Sequence, residues 1–133
     1  MGSDPCRINM IAGWVGIVLA FVTGSALGMD FHRPEHLGGY ASHRRRLYRL
    51  AHISLFGLGA VNLLFFLSAH QLSPSGGLLA IASWGFIAGA ISMPVCCVIA
   101  AHRPDWRPLL VFAIPVLSLT VAGILTCYKV VGP

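Results

Sequence analysis

The sequence predicts an all-α fold: an integral membrane, antiparallel four-helix bundle that forms a single transmembrane domain over residues 1–133. Hydrophobic residues make up 56% of the chain and charged residues only 10%, whereas a typical soluble domain has about 25% charged residues. A soluble chain this short has no core large enough to bury so many apolar side chains. Four apolar stretches, separated by short polar connections, are each long enough to cross a hydrocarbon layer of about 30 Å.

The four predicted spans follow one another along the chain. The first covers about residues 8–28, and its apolar run is longer than the roughly 7–15 residues of a signal-peptide core. The others cover about residues 47–69, 78–101 and 109–130. At about 1.5 Å per residue, each span reaches across the hydrocarbon layer as one helix.

The three connections between the spans differ in character. In the first, Pro34 and the pair Gly38–Gly39 argue against a continuous helix, although a short helical turn starting near Pro34 is compatible with the sequence. The other two, at residues 71–77 and 102–108, are predicted to be short turns. Trp106 lies in the last of them, where we predict that it anchors the chain at the membrane interface.

The distribution of Lys and Arg predicts the orientation. Seven of these residues lie on the side of the first and third connections and two on the other side. They are Arg33, Arg44, Arg45, Arg46, Arg49, Arg103 and Arg107, against Arg7 and Lys129. The positive-inside rule therefore makes the first and third connections cytoplasmic and both termini non-cytoplasmic, in what we predict to be a bacterial cytoplasmic (inner) membrane. Because the basic residues adjoin apolar spans, they do not indicate nucleic-acid binding.

A basic cytoplasmic segment at the start of the second span has two interpretations. Its arginines are Arg44, Arg45, Arg46 and Arg49. The first interpretation is a topology anchor that attracts anionic lipid headgroups. The second is a docking site for an acidic partner, and both place the segment at the surface of the bilayer.

Small residues recur every four positions in the first span and again in the third. They are Gly16, Ala20, Gly24 and Gly28, and then Gly85 and Gly89. Faces of this kind let two helix backbones approach each other closely. One interpretation is that these faces close the bundle internally, and the other is that one of them docks a partner subunit or a flat pigment.

His52 is the most informative ionisable residue, because it lies inside the second span on the same helix face as Arg45 and Arg49. Three interpretations are open. The imidazole is hydrogen-bonded within the bundle, or it is an axial ligand to haem or to a chlorophyll-type pigment, or it contacts a quinone or lipid headgroup. A haem with two histidine ligands needs a partner on a facing helix. His102 is the only candidate from another span, and we expect it about one turn closer to water.

Several functions are disfavoured by what the spans lack. No Asp or Glu lies inside any of them, although coupled transporters need an ionisable group at depth. The acids are Asp4, Asp30, Glu35 and Asp105. Pro34 interrupts the regular spacing between His32 and His36, so we predict no metal site in the first connection. No activated nucleophile, carboxylate pair or phosphate loop is present, so we predict that the protein is not an enzyme.

One stretch carries a resemblance. The run from Arg45 to Ile53, with the sequence RRLYRLAHI, is followed by Asn62 and later by Met93-Pro94. This pattern resembles small four-span bacterial membrane proteins of unassigned function. It covers most of the second span and part of the third, and it implies no activity. His102 is not part of the pattern, while Asn62 itself is interpreted as an interhelical hydrogen-bonding residue.

Together these features favour a small accessory or structural subunit of a larger membrane complex, most simply one for respiratory or photosynthetic electron transfer. Two alternatives stay open. The first is a redox module that binds haem or a pigment through His52, and the second is an autonomous small transporter or lipid-binding protein. The expected partners are the lipid bilayer and other membrane subunits, and the sequence does not select a cofactor.

Overall fold

The computed structural model contains four long helices joined by short connections. It describes residues 6–30, 32–72, 77–105 and 107–132, except for the side chains of residues 108 and 109. The helices are α1 (Arg7–Met29), α2 (His43–Gln71), α3 (Gly77–His102) and α4 (Pro108–Val131). No strand occurs in these four ranges, and each helix is long and apolar enough to cross a membrane. The predicted all-α four-helix membrane bundle is therefore confirmed.

Helix α2 begins four residues before the predicted span, because Ser42 caps its first turn. The Ser42 hydroxyl oxygen accepts a hydrogen bond from the backbone N–H of Arg45 at 3.1 Å and donates one to the carbonyl of Leu37 at 2.7 Å. An N-cap of this kind satisfies an N–H group that the helix itself leaves without a partner. Arg44, Arg45 and Arg46 are consequently helical.

The first connection contains a single 3-10 turn over His36–Gly38. Leu37 adopts a φ of 56°, a left-handed conformation that is uncommon for a residue with a side chain. Gly38 and Gly39 follow with φ values of 85° and 91°, and these allow the chain to turn back towards α2. The interior of the predicted turn at residues 71–77, namely 73–76, and the predicted anchor Trp106 lie outside the described residues.

The helices are arranged as an open row. Helix α1 packs along α2, α2 along α3, and α3 along α4, whereas α1 touches α3 only over a short stretch. Helices α1 and α4 make no extended contact in the described ranges. Helix α4 therefore has one helical neighbour, and both faces of the row remain largely uncovered.

Small residues form the seam between α1 and α2. A Cβ atom added to Gly13 or to Gly59 would lie 2.9 Å from the other residue's carbonyl oxygen, and one added to Gly16 would lie 3.0 Å from the Leu55 carbonyl oxygen. Ala20 is 2% exposed in the same seam. The backbones approach so closely that no larger side chain fits between them without a shift.

The remaining small residues divide between a second seam and open space. A Cβ atom on Gly85 would lie 2.9 Å from that of Ala122 in α4, and Gly89 packs against Leu119 of the same helix. A Cβ atom on Gly28 would meet nothing within 4 Å. Of the six predicted small-residue positions, five therefore contact helices of this same chain, and only Gly28 does not.

Three fully buried polar side chains join α1, α2 and α3. The Asn9 amide donates to the Asn62 side-chain oxygen at 2.8 Å and to the Ser83 carbonyl at 3.2 Å. The Ser83 hydroxyl donates to the side-chain oxygen of Asn9, and the Asn62 amide donates to the Leu58 carbonyl at 2.9 Å. Hydrogen bonds between membrane helices contribute about 0.6 kcal/mol each on average. Because each of these bonds requires its two side chains to face each other, the polar cluster fixes the register of the three helices.

Candidate functional site

An apolar groove runs between α1 and α3, with α2 contributing to its lining. It consists of two adjoining cavities of about 580 Å³ and about 410 Å³, which share Leu55, Pro94 and Val95 in their walls. Along α1 the lining extends from Ile8 to Leu27, almost the whole helix. The groove is therefore long, and it is open along one side.

The surfaces of both cavities are almost wholly apolar. Thr23, Tyr48 and His52 line the larger cavity, but their polar atoms contribute little to its surface. This cavity adjoins the connections at residues 30–42 and 103–107, and we call that end of the bundle the basic end. The groove is therefore an apolar channel along its whole length.

Thr23 fixes the orientation of the His52 imidazole. The Thr23 hydroxyl oxygen lies 2.8 Å from the Leu19 carbonyl and 3.1 Å from His52 Nδ1. The hydroxyl has one hydrogen, so both contacts are hydrogen bonds only in the tautomer in which the hydroxyl donates to the Leu19 carbonyl and His52 Nδ1–H donates to Thr23. In the neutral imidazole, Nε2 is then the nitrogen that accepts a hydrogen bond or binds a ligand.

Gly24 provides the space that the imidazole occupies. A Cβ atom at this position would lie 2.7 Å from Cε1 of His52 and 3.2 Å from Nε2. The small-residue face of α1 therefore has two uses: it closes the seam with α2, and it admits a half-buried histidine between the helices.

His102 is engaged elsewhere. Its Nε2 lies 2.8 Å from the Tyr48 hydroxyl, and the two rings meet edge to face with centroids 6.0 Å apart. His102 lines none of the described cavities to which His52 contributes. The structure does not bring His52 and His102 into one cavity, and binding of haem or of a pigment through His52 stays a prediction.

A smaller basic pocket adjoins the groove. Its volume is about 280 Å³, and it shares Leu27 and His52 with the larger groove cavity. Arg45 and Arg49 line it together with His36, and no acidic residue is among its lining residues. Of the four predicted basic residues, Arg44 and Arg46 are exposed and lie outside this pocket.

The basic pocket is shaped by the first connection and by the end of α1. Leu37 lines it in its left-handed conformation, and the hydrogen bond from Ser42 to the Leu37 carbonyl holds this turn against α2. Gly28 leaves open space in the opposite wall. Asp30 lies nearby, with its carboxylate 3.6 Å from Nδ1 of His36.

Among the described residues, Arg45 is the most enclosed charged group. The residue is 6% exposed, and its guanidinium carbon lies 4.0 Å from the centroid of the Tyr40 ring. A guanidinium stacked on an aromatic face is attracted by the ring quadrupole. Arg49, one turn further along α2, is exposed, so the pocket has one enclosed cation and one exposed cation.

Sequence reasoning identified part of this site. The shared helix face of Arg45, Arg49 and His52 was visible from their spacing, whereas Thr23 and Tyr48 were missed. Thr23 reads as an ordinary residue of a span, and only the crossing of α1 over α2 places it against His52. Among the described residues, no group of three His, Cys, Asp or Glu side chains is placed to hold a metal ion.

The fold and the site define a class: a small multi-pass, all-α membrane protein with an open apolar groove that adjoins a basic pocket. No family model, curated protein or solved structure matches the chain. The resemblance to small four-span bacterial proteins stays a prediction.

Proposed function

We propose that this chain is a non-enzymatic membrane protein that binds one amphiphilic molecule, with the apolar tail in the groove and the polar head beside His52. The observation that supports this proposal is the continuity of the apolar groove with the basic pocket, which share Leu27 and His52 in their walls. Ligand sites are generally apolar cavities in which a few placed polar groups set the orientation of the ligand. The groove is the apolar cavity, and the adjoining basic pocket contains the polar groups.

His52 supports a specific ligand over passive filling by bulk lipid. With its Nδ1–H donated to Thr23, it offers Nε2 as a hydrogen-bond acceptor beside Gly24, and both residues line the basic pocket. A hydrogen bond in such surroundings is stronger than in water. A molecule that carries a hydroxyl in its polar head satisfies this acceptor, whereas a hydrocarbon chain alone does not.

The test is the ligand content of the protein after extraction in mild detergent. Ala26 is an exposed groove residue of α1, and Ala26→Trp places a large ring in the groove. We expect about one small amphiphile per wild-type chain by native mass spectrometry and less than half of that for Ala26→Trp.

Val22→Trp is the matched control, because Val22 lies one turn earlier on α1, is 61% exposed and does not line the groove. It should retain the wild-type amount of ligand. Equal ligand content in all three proteins would show that the groove is not the binding site.

A second proposal is that the chain is an accessory subunit of a larger membrane complex. It is supported by the open row, in which α4 packs on α3 alone. The outward face of α4 carries the exposed residues Leu110, Ile114, Leu117, Val121 and Ile124. A respiratory or photosynthetic complex is the setting that the sequence favours, and a lipid-holding subunit is compatible with such a role.

The native mass of the protein extracted from its own membranes tests the second proposal. A subunit should migrate in a species several times larger than 14.2 kDa plus its detergent, and the companions would identify the complex. A monomer or a small homo-oligomer would contradict the subunit role, and it would leave the amphiphile proposal standing.

A further inference from the structure

We propose that the basic pocket binds the phosphate of an anionic glycerophospholipid whose acyl chain lies in the groove. The inference rests on the proposed function, because the same groove holds the tail. It adds the class of the ligand, namely a lipid with a phosphodiester anion and a free hydroxyl in its headgroup.

The charge of the basic pocket favours an anion. Arg45 and Arg49 line it, and none of its described lining residues is acidic. A planar guanidinium donates paired hydrogen bonds to phosphate oxygens, and such bonds are shorter and stronger than neutral ones. The Asp30 carboxylate lies outside this lining and contacts His36 and Arg33 at 3.6 Å and 3.5 Å. It therefore offsets part of the His36 charge when that imidazole is protonated.

The Arg45 side chain is held in position before an anion binds. Ser42 caps the backbone of Arg45, and the Tyr40 ring lies 4.0 Å from its guanidinium carbon. Because Arg45 is only 6% exposed, little side-chain freedom remains to be lost when an anion binds. Rigid positioning before binding raises affinity by lowering this cost.

His52 distinguishes between lipid headgroups. Its Nε2 is an acceptor in the tautomer that Thr23 selects, and a phosphate diester has no hydrogen to donate. Nε2 therefore suits a headgroup hydroxyl, while the arginines suit the phosphate. A glycerol headgroup carries both functions next to each other, whereas a quinone ring carries no anion and a choline headgroup has no hydroxyl.

The basic pocket and the groove are continuous with each other. Leu27 and His52 line both the basic pocket and the groove, so a phosphate in the pocket lies beside a chain in the groove, as in one glycerophospholipid. The predicted orientation places this end in the cytoplasmic leaflet, the leaflet with the more negative surface. The lipid source is thus the membrane that surrounds the protein.

The test compares two lipids with identical acyl chains, dioleoylphosphatidylglycerol and dioleoylphosphatidylcholine, added to the purified full-length protein in mild detergent. Native mass spectrometry counts the bound lipids. We expect the wild type to favour the glycerol lipid at least fivefold, and Arg49→Gln to lose about fivefold of this preference, the usual effect of one interfacial cation. Arg46→Gln, an exposed neighbour outside the pocket, should leave the preference unchanged.

A second variant addresses the buried arginine. Arg45→Gln removes a guanidinium that packs on Tyr40, so a folding defect would obscure its effect, whereas Arg45→Lys retains the charge and loses only the paired geometry. We expect Arg45→Lys to fold and to retain a weaker preference for the glycerol lipid. Soluble glycerol phosphate should not bind at millimolar concentration, because it lacks the tail.

The outcomes separate the two proposals. Equal binding of both lipids overturns the anionic headgroup and leaves the amphiphile function standing. Binding of neither lipid overturns the phospholipid ligand, and the amphiphile function is then decided by the ligand content of the wild type against Ala26→Trp. If Arg46→Gln reduces the preference as much as Arg49→Gln, the effect belongs to the surface charge of the segment as a whole and the pocket is not the site. If glycerol phosphate binds as strongly as the lipid, the pocket is a site for soluble anions.

Discussion

Asn9, Asn62 and Ser83 hold three membrane helices together at a single point. Each is fully or almost fully buried, and each donates or accepts within the polar cluster. In hydrocarbon no water replaces a lost partner, so a polar group left alone retains its full desolvation cost. The cluster therefore specifies register more than it adds stability, since the helices would pack in other registers if their contacts were apolar throughout.

Asn9→Ala tests this role. The substitution removes the donor to Asn62 and the acceptor for the Ser83 hydroxyl, and we expect the free energy of unfolding to fall by about 1–2 kcal/mol. Unfolding in mixed micelles with increasing sodium dodecyl sulfate measures the change. Ser68→Ala is the control, because the Ser68 hydroxyl donates to the Leu64 carbonyl of its own helix. If Ser68→Ala lowered the free energy of unfolding by as much as Asn9→Ala, the polar cluster would have no special role.

A second prediction at this scale concerns the His52 tautomer. Thr23→Val retains the shape of the side chain and removes the hydroxyl that accepts from His52 Nδ1. We expect the ¹⁵N spectrum of the labelled imidazole to show a protonated Nδ1 in the wild type and a larger share of the Nε2–H tautomer in the variant. Thr126→Val, whose hydroxyl bonds the Ala122 carbonyl of α4, should leave the spectrum unchanged. An unchanged spectrum in Thr23→Val would mean that Thr23 does not select the tautomer.

At the scale of elements, the seam between α1 and α2 depends on glycine at Gly13 and Gly59. Their backbones are so close that an added methyl group at either one would lie 2.9 Å from the other's carbonyl oxygen. Backbone atoms do not yield as a flexible side chain does, so the helices must separate. This separation would also displace His52, because the same two helices hold its imidazole.

Two neighbouring glycines of α2 make the prediction specific. Gly59→Ala should lower the free energy of unfolding by about 1–3 kcal/mol, the usual cost of overpacking. Gly57→Ala should be neutral or stabilising by up to about 1 kcal/mol, because a Cβ atom there meets nothing within 4 Å and alanine favours the helix. The same unfolding assay compares them, and equal effects would contradict a close approach at Gly59.

The elements are also the scale at which sequence reasoning succeeded. Hydropathy located all four helices, because the lipid requires each spanning segment to satisfy its own backbone hydrogen bonds. It missed the first turn of α2, where Ser42 caps a charged segment. The site was found only in part, because Arg45, Arg49 and His52 share one helix face, whereas the Thr23 contact depends on how α1 crosses α2. Such crossings arise from packing, which no single helix encodes.

At the scale of the whole molecule, the row of helices has two chemically different ends. The basic end carries the connections at residues 30–42 and 103–107, and the opposite end contains the junction of α2 with α3. The excess of arginine at one end predicts that it faces the cytoplasm. Because the proposed phospholipid site lies at the basic end, this orientation places it in the cytoplasmic leaflet.

Thiol labelling tests the orientation. In a Cys127→Ser background, which removes the one exposed native cysteine of the described residues, the exposed position Ala41 provides the probe at the basic end. Ala41→Cys should react with a membrane-impermeant maleimide in inside-out vesicles only. Gln71→Cys, an exposed position at the opposite end, should react in intact cells. The reverse pattern would mean that the first connection is extracytoplasmic and that the basic pocket faces the outer leaflet.

The open row also has a consequence for sequence divergence. Every described residue that lines the groove and the basic pocket lies between Ile8 and Ile99, and none of them belongs to α4. Since α4 packs along α3, substitutions on its outward face do not touch the described walls of either cavity. The sequence of that face is thus able to diverge while the site is retained.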